Sequence, residues 1–177
     1  MRDNGCWTPG WSQHLPRAVD AVLASRVGQL LRERGFTLSV AESCTGGRLG
    51  DRITDIPGSS DYFLGGVISY SNAAKADLLG VDRAVLASKG AVSREVAIQM
   101  ASGVRRRLRT DIGIGVTGIA GPTGGSRAKP VGLVFIAVCS GTRTICSKKT
   151  FKGSRISIKR QSTEEAVRLL QDFLLED

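Results

Sequence analysis

The chain has 177 residues, of which 41% are hydrophobic and 23% are charged, and this composition is typical of one ordinary globular domain. No apolar run approaches the roughly 20 residues of a membrane-spanning helix, and the first residues lack the apolar core of an export signal. The sequence therefore predicts a cytoplasmic protein that has no membrane partner and keeps its cysteines reduced.

The pattern of apolar and turn-forming residues predicts alternating helices and strands in a single domain, 17–177, that follows a flexible arm, 1–16. In chain order we first predict a helix over 17–34, a strand over 36–41, a helix from 45 to the break at Pro57, and a strand over 64–70. A short helix between Ser71 and Gly80 and a longer helix capped by Ser93 follow. The last predicted elements are a strand over 111–116, a loop over 118–130, a hairpin of strands over 131–139 and 142–151, and a helix over 154–175. Alternation favours parallel strands, whereas the hairpin requires an antiparallel pair. The predicted fold class is therefore α/β, a three-layer α/β/α arrangement with a mixed, mostly parallel sheet.

Three polar segments follow predicted strands of the parallel part of the sheet. They are AESCTGG at 41–47, SYSNAAK at 69–75 and TGIAGPTGG at 117–125. In sheets of this kind, ligands bind at the carboxyl ends of the parallel strands. The sequence therefore predicts that these three segments meet at one functional site.

The net charge of +9 is concentrated in one part of the sequence. Residues 112–163 contain no acidic residue, and they carry nine basic ones: Arg127, Lys129, Arg143, Lys148, Lys149, Lys152, Arg155, Lys159 and Arg160. Such a stretch attracts anions, which include nucleic acid, membrane phosphates and phosphorylated small molecules. The alternative is a basic face that only keeps the protein soluble, and charge alone does not decide between the two.

The sequence argues against two common kinds of cofactor site. A literal GxGxxG at Gly113, Gly115 and Gly118 is rejected as a dinucleotide fingerprint because it lies within a strand and is followed by Pro122 rather than a helix. The cysteines at positions 6, 44, 139 and 146 and the single His14 do not form a closely spaced ligand set, so we expect neither a metal nor another cofactor. Without a later histidine, a nucleophile in this chain needs a different base.

Ser43 lies between a predicted strand and a helix that opens with Thr45, Gly46 and Gly47. Free backbone N–H groups at a helix start bind an anion or a developing oxyanion, and glycine lets a substrate approach the backbone closely. This arrangement suits a nucleophile. The alternative is that Ser43 or Thr45 only caps the helix. Cys44 is interpreted as a packing residue, because no base accompanies it.

Lys75 and Tyr70 lie at the next junction between a strand and a helix. A lysine at this position is normally a solvated charge. However, a lysine that is partly desolvated can lose its proton near neutral pH and act as the base for a serine. Tyr70 is either a core residue with a hydrated hydroxyl or a proton relay.

Several stretches resemble the CinA C-terminal domain family: AESCTGGRLGDRITDIPGSSDYF, YSNAAKADLLGV, GAVSREVAIQMA, TGIAGPTGG with KPVG, and FKGSR, which extend over about residues 20–175. Stand-alone members of this family are nicotinamide-nucleotide amidases. The chain looks like this form, since it lacks the molybdopterin-cofactor-binding-like domain that precedes the family domain in longer members. The resemblance implies an α/β/α fold, a homodimer, and hydrolysis of the carboxamide of nicotinamide mononucleotide in pyridine-nucleotide recycling.

The resemblance also implies a serine amidohydrolase mechanism in which Ser43, Lys75 and a nearby Tyr70 are catalytic. Together with the residue patterns, it leads us to expect substrate contacts from Thr45, Gly46, Gly47, Thr117, Gly118, Gly121 and Arg155. Arg155 in FKGSR is expected to hold the substrate phosphate. Two positions depart from the family pattern: Ser154 replaces an acid, and Lys159 replaces an arginine that is common there. These departures predict a different orientation of Arg155, which would change the affinity for substrate rather than the chemistry.

Two other functions are compatible with the same residues. One is a nucleic-acid-binding or competence-linked interaction module that uses the basic stretch. Aromatic residues make up only 5% of the chain and no nucleic-acid-binding motif occurs, so a nucleic-acid partner is not expected. The other is a family member that binds a nucleotide without turning it over.

Overall fold

The computed structural model describes residues 18–176, and the predicted arm at 1–16 lies outside this range. The elements in chain order are α1 (Ala18–Arg34), β1 (Leu38–Glu42), α2 (Arg48–Thr54), a short 3-10 helix (Ser59–Asp61), β2 (Phe63–Ile68), α3 (Asn72–Leu79), α4 (Arg83–Lys89), α5 (Arg94–Leu108), β3 (Ile112–Gly118), β4 (Leu133–Cys139), β5 (Thr144–Thr150) and α6 (Arg155–Leu175).

The five strands form one mixed sheet in the order β2-β1-β3-β4-β5. The first three strands are parallel to one another, while β4 is antiparallel to both β3 and β5. Within the described range, β4 is thus the one strand that opposes the common direction. The predicted fold class is confirmed, and the parallel strands β2, β1 and β3 are neighbours, so their carboxyl ends lie side by side.

Helices cover both faces of the sheet and give the three predicted layers. On one face α1, α2 and α6 pack around Leu31, Leu49, Ile114 and Phe173. On the other face α3, α4 and α5 enclose a second apolar cluster that includes Met100. Burial of these side chains is the main source of stability, at roughly 25 cal/mol per Å² of apolar surface removed from water.

The glycines of the rejected GxGxxG have a packing role. A Cβ atom on Gly113 would stand 2.2 Å from the carbonyl oxygen of Ala101, and one on Gly115 would stand 2.3 Å from that of Ala97. Helix α5 therefore lies directly against the backbone of β3. Only glycine permits this close approach, so the motif needs no nucleotide to explain it.

The helix ends show where local sequence was informative. Ser71 and Ser93 cap α3 and α5 as predicted, accepting hydrogen bonds from the backbone N–H groups of Ala74 and Val96. By contrast, α2 begins at Arg48 rather than at Thr45, because the two preceding glycines adopt left-handed backbone angles. Helix α4 is absent from the predicted elements, since its seven residues are too few to show helical periodicity.

Candidate active site

The polar segments that follow β1, β2 and β3 meet at one edge of the sheet, as predicted. The backbone N–H of Ser43 donates to the carbonyl oxygen of Val116 at 3.0 Å, and the N–H of Ser69 donates to that of Glu42 at 2.8 Å. These two bonds extend the parallel pairing by one residue beyond the strands. They fix the start of the AESCTGG turn between its two neighbours.

Ser43 and Lys75 are in direct contact. The Nζ atom of Lys75 lies 3.0 Å from Ser43 Oγ and donates to the carbonyl oxygen of Ser69 at 2.7 Å. Lys75 is only 1% exposed and Ser43 is 8% exposed. The capped first turn of α3 thus directs a lysine inward, so the reading of Lys75 as a solvated charge is wrong.

The surroundings of Lys75 favour the neutral amine. Burial lowers its pKa from the ordinary value of 10.5, because the ammonium form loses its hydration. No carboxylate among residues 18–176 forms an ion pair with Nζ to offset this loss. A thiolate at Cys44 would raise the pKa of Lys75. A neutral amine at this distance can accept the hydroxyl proton of Ser43.

The Cys44 side chain packs in the core, as predicted. Its side chain is 5% exposed and belongs to the core beneath α1, α2 and α6. Burial raises the pKa of the Cys44 thiol to about 12. The thiol is therefore protonated at neutral pH, and the reactive thiolate form is disfavoured.

Glu42 has a structural function that the sequence reading missed. This carboxylate is 1% exposed and accepts three backbone hydrogen bonds, from Gly47 N–H at 2.9 Å, Leu49 N–H at 3.1 Å and Gly50 N–H at 2.9 Å. It thereby satisfies the amino-terminal N–H groups of α2 that lack a partner within the helix. The available signal was an acid at the buried end of a strand, just before a glycine turn.

The bond from Gly47 to Glu42 corrects part of the predicted anion site. The N–H groups of Ser43 and Gly47 are both occupied, by Val116 and Glu42. Among the described residues, no group accepts a hydrogen bond from the N–H of Thr45 or Gly46. Gly46 is exposed and can present its N–H to an oxyanion, whereas Thr45 is fully buried. The Thr45 hydroxyl is also buried and has no partner within this range.

Tyr70 and Arg155 form a second, more exposed group. The Arg155 guanidinium donates to the carbonyl oxygen of Gly121 at 2.7 Å and to Tyr70 Oη at 2.8 Å. Tyr70 is 62% exposed, and its hydroxyl forms no hydrogen bond with Ser43 or Lys75. The structure therefore places Tyr70 with the predicted phosphate ligand rather than with the Ser43–Lys75 pair.

The start of α6 and the end of β3 complete the region. Ser154, which replaces the family acid, still caps α6 by accepting from Ser157 N–H at 3.3 Å. Thr117 is buried, and its hydroxyl donates to the carbonyl oxygen of Ala91 at 2.8 Å. A Cβ on Gly118 would stand 2.7 Å from the Leu133 carbonyl oxygen. Thr117 and Gly118 thus have packing roles that are independent of substrate.

Two classes of feature are absent from the described part of the chain. Residues 18–176 contain no cluster of three or more His, Cys, Asp or Glu side chains that could hold a metal ion. In the same range, no helix is both long and apolar enough to span a membrane.

The comparison with known sequences identifies one family. The model of the CinA C-terminal domain matches residues 20–174. A CinA-like protein of Acaryochloris marina is 55% identical over 160 residues, which cover 89% of this chain and 38% of that protein. A CinA-like protein of Syntrophus aciditrophicus is 49% identical over 167 residues, which cover 92% of this chain and 40% of that protein. The chain thus spans less than half the length of these relatives.

Solved structures of the same family share the fold. The competence/damage inducible protein CihA of Agrobacterium tumefaciens superposes with a TM-score of 0.85 at 38% identity, and the match covers 89% of this chain and 96% of that one. A CinA superfamily protein of Klebsiella pneumoniae 700603 gives a TM-score of 0.86 at 30% identity, with coverage of 89% and 99%.

The lowered pKa of Lys75 predicts a dependence of stability on pH. Between the folded pKa and 10.5 the unfolded chain binds a proton at Lys75 that the folded chain does not, so this residue destabilises the fold, and the cost falls as pH rises. Replacement of Lys75 by methionine should therefore increase the free energy of unfolding at pH 7, and the gain should shrink by pH 10.

Urea unfolding of both proteins at the two pH values provides the measurement. The exposed Lys89, replaced by methionine, serves as the control and should show no such change with pH. A difference in the free energy of unfolding between wild type and Lys75→Met that is the same at pH 7 and pH 10 would show that folding does not lower the pKa of Lys75.

Proposed function

The chain belongs to the CinA C-terminal domain family, and we propose that it hydrolyses the carboxamide of nicotinamide mononucleotide to nicotinate mononucleotide and ammonia. The observation that carries this proposal is the 3.0 Å contact between Ser43 Oγ and a buried lysine amine that has no carboxylate partner in residues 18–176. A serine with such a neighbour is equipped to act as a nucleophile. The choice of substrate rests on the family resemblance.

In the first half of the proposed reaction, Ser43 Oγ attacks the carboxamide carbon. A C–O bond forms, the carbonyl π electrons move to the oxygen, and Lys75 Nζ takes the hydroxyl proton. The N–H group of Gly46, an exposed residue, is available to the resulting oxyanion. When this intermediate collapses, the C–N bond breaks, and Lys75 gives its proton to the departing nitrogen, which leaves as ammonia.

In the second half, water replaces ammonia as the partner of Lys75. The neutral amine accepts a proton from water as the water oxygen attacks the acyl carbon. Collapse of the second intermediate breaks the bond to Ser43 Oγ, and Lys75 returns the proton to that oxygen. The products are the carboxylic acid, which ionises, and the original enzyme. The carbonyl oxygen of Ser69, 2.7 Å from Nζ, keeps the amine directed at Ser43 through both halves.

Substrate recognition is proposed to use the group formed by Arg155, Tyr70 and Gly121. Arg155 forms no ion pair with any described carboxylate, so its charge is free to bind a phosphate. The Tyr70 hydroxyl contacts that guanidinium, and the side chain is exposed enough to contact the substrate. In this arrangement Tyr70 binds rather than relays protons.

A broad nucleic-acid surface has less support. Two of the nine cations in the basic stretch pair with acids at or near α6, Lys149 with Glu165 and Arg143 with Glu176. These ion pairs reduce the positive electrostatic potential that would attract a polyanion to this stretch. An assay of ammonia release from nicotinamide mononucleotide distinguishes the proposed enzyme from a family member that binds a nucleotide without turning it over.

The proposed mechanism predicts which substitutions abolish ammonia release. Ser43→Ala and Lys75→Met should each remove most of the activity, and the double variant should be little worse than either, because the two residues act as one unit. Cys44→Ser, at the neighbouring position, should keep substantial activity. Assays with and without a chelator accompany the series, and the rates should agree. Loss of activity in Cys44→Ser with retention in Ser43→Ala would reassign the nucleophile to the thiol.

The proposed role of Arg155 predicts a substrate-dependent loss. Arg155→Ala removes a charge-assisted pair that is worth roughly 1.5–3 kcal/mol, or about 10- to 150-fold in kcat/KM for the nucleotide. The same substitution should hardly change kcat/KM for nicotinamide riboside, which has no phosphate. Lys152→Ala, an exposed cation of the same stretch, should affect neither substrate. Equal proportional losses with both substrates in Arg155→Ala would rule out a phosphate-binding role.

A further inference from the structure

Lys159 lies against the turn that carries the nucleophile. It is on α6, four residues after Arg155, and its Nζ stands 3.4 Å from the point that a Cβ atom on Gly46 would occupy. Gly46 has a left-handed backbone with φ of 61° and no side chain, so nothing on that residue separates the ammonium from the turn. The amine of Lys159 is therefore a neighbour of the AESCTGG turn.

The ammonium of Lys159 has no partner in residues 18–176. No carboxylate forms an ion pair with it, and no acceptor in this range takes a hydrogen bond from it. Two other cations of the basic stretch have partners: Lys149 pairs with Glu165, and Lys129 donates to the carbonyl oxygen of Lys89. Lys159 is also half-buried, unlike a fully solvated surface lysine. Partial loss of hydration without a partner is unfavourable, so the site is suited to an anion.

The groups around Lys159 indicate which anion. The N–H groups of Thr45 and Gly46 have no acceptor among the described residues, and they belong to the same turn as Ser43. The positive charge of Lys159 also reaches into this turn, since it lowers the pKa of the Cys44 thiol and partly opposes the effect of burial. Unpartnered donors and a cation thus surround the backbone that follows the nucleophile.

We propose that Lys159 contacts the substrate carbonyl oxygen and, together with the free N–H group of Gly46, stabilises the negative charge that forms on it. This inference rests on the proposed function. As Ser43 Oγ bonds to the acyl carbon and the π electrons move to oxygen, Lys159 donates a hydrogen bond that strengthens with the charge on that oxygen. Lys75 transfers the proton, and Lys159 stabilises the oxyanion.

The two cations of α6 then have different tasks. Arg155 is directed to Tyr70 and Gly121 and suits the phosphate of a nucleotide, whereas Lys159 faces Gly46 and suits the reacting carbonyl. In a pyridine nucleotide the ribose and the ring separate these two groups. Loss of Lys159 should therefore affect the chemical step with any amide substrate, while loss of Arg155 should affect only phosphorylated ones.

The test compares Lys159→Met, Lys159→Arg and the control Lys152→Met on nicotinamide mononucleotide and nicotinamide riboside. Removal of one donor to an oxyanion costs about 10²- to 10³-fold in kcat, so Lys159→Met should lose this factor with both substrates and change KM little. Lys159→Arg keeps a cationic donor and should restore most of kcat. Lys152→Met should match the wild type. A loss confined to the nucleotide, or no loss, would overturn the proposal.

A second readout separates failure of this inference from failure of the proposed function. A serine-directed fluorophosphonate places its phosphoryl oxygen where a carbonyl oxyanion would lie, and it requires no amide turnover. The wild type and Lys152→Met should be labelled at Ser43 at equal rates, and Lys159→Met should be labelled at least tenfold more slowly. If the wild type hydrolysed neither amide, the proposed function would fail, and equal labelling of Lys159→Met would then overturn the role of Lys159 as well.

Discussion

The site depends on one buried contact, between the amine of Lys75 and the hydroxyl of Ser43, 3.0 Å apart. An ammonium is costly to bury without a counterion, so burial itself moves this lysine toward the neutral form that a base requires. The fold supplies what the contact needs. Neighbouring parallel strands bring Ser43 beside Ser69, whose carbonyl orients the amine, and the cap at Ser71 starts the helix that carries Lys75.

The backbone N–H groups in and after the AESCTGG turn fall into two sets, one bonded to Glu42 and one without an acceptor in the described part of the chain. Glu42 binds the N–H groups of Gly47, Leu49 and Gly50 and so neutralises the start of α2 with the protein's own carboxylate. The N–H groups that have no acceptor in the described part of the chain, those of Thr45 and Gly46, lie closer in sequence to Ser43. Glu42 therefore occupies most of the start of α2, and the turn before the helix is the part that is left open to substrate.

Much of this arrangement follows from the sequence, because strand ends converge in any parallel sheet. The pairing of Ser43 with Lys75 was predictable on that basis. The cap at Ser71 was predictable from the capping preference of serine, and the packing role of Cys44 from the lack of an accompanying base. The role of Glu42 as acceptor for the N–H groups at the start of α2 was not predictable, because the sequence does not reveal which side of a turn a carboxylate will face. The separation of Tyr70 from Lys75 was also not predictable, because it depends on the contact between Tyr70 and Arg155 of α6, which is distant in sequence.

The most direct test of the central claim is the labelling of Ser43 itself, without any assumed substrate. After brief exposure to a fluorophosphonate, intact-protein mass spectrometry reports the number of adducts and the labelling rate, and fragmentation of the digested peptides identifies the modified residue. The account predicts a single adduct on Ser43 in the wild type, and labelling in Lys75→Met that is slower by about 10²-fold or more, as expected when a positioned base is removed. An adduct on another residue, or equal rates in the two proteins, would contradict it.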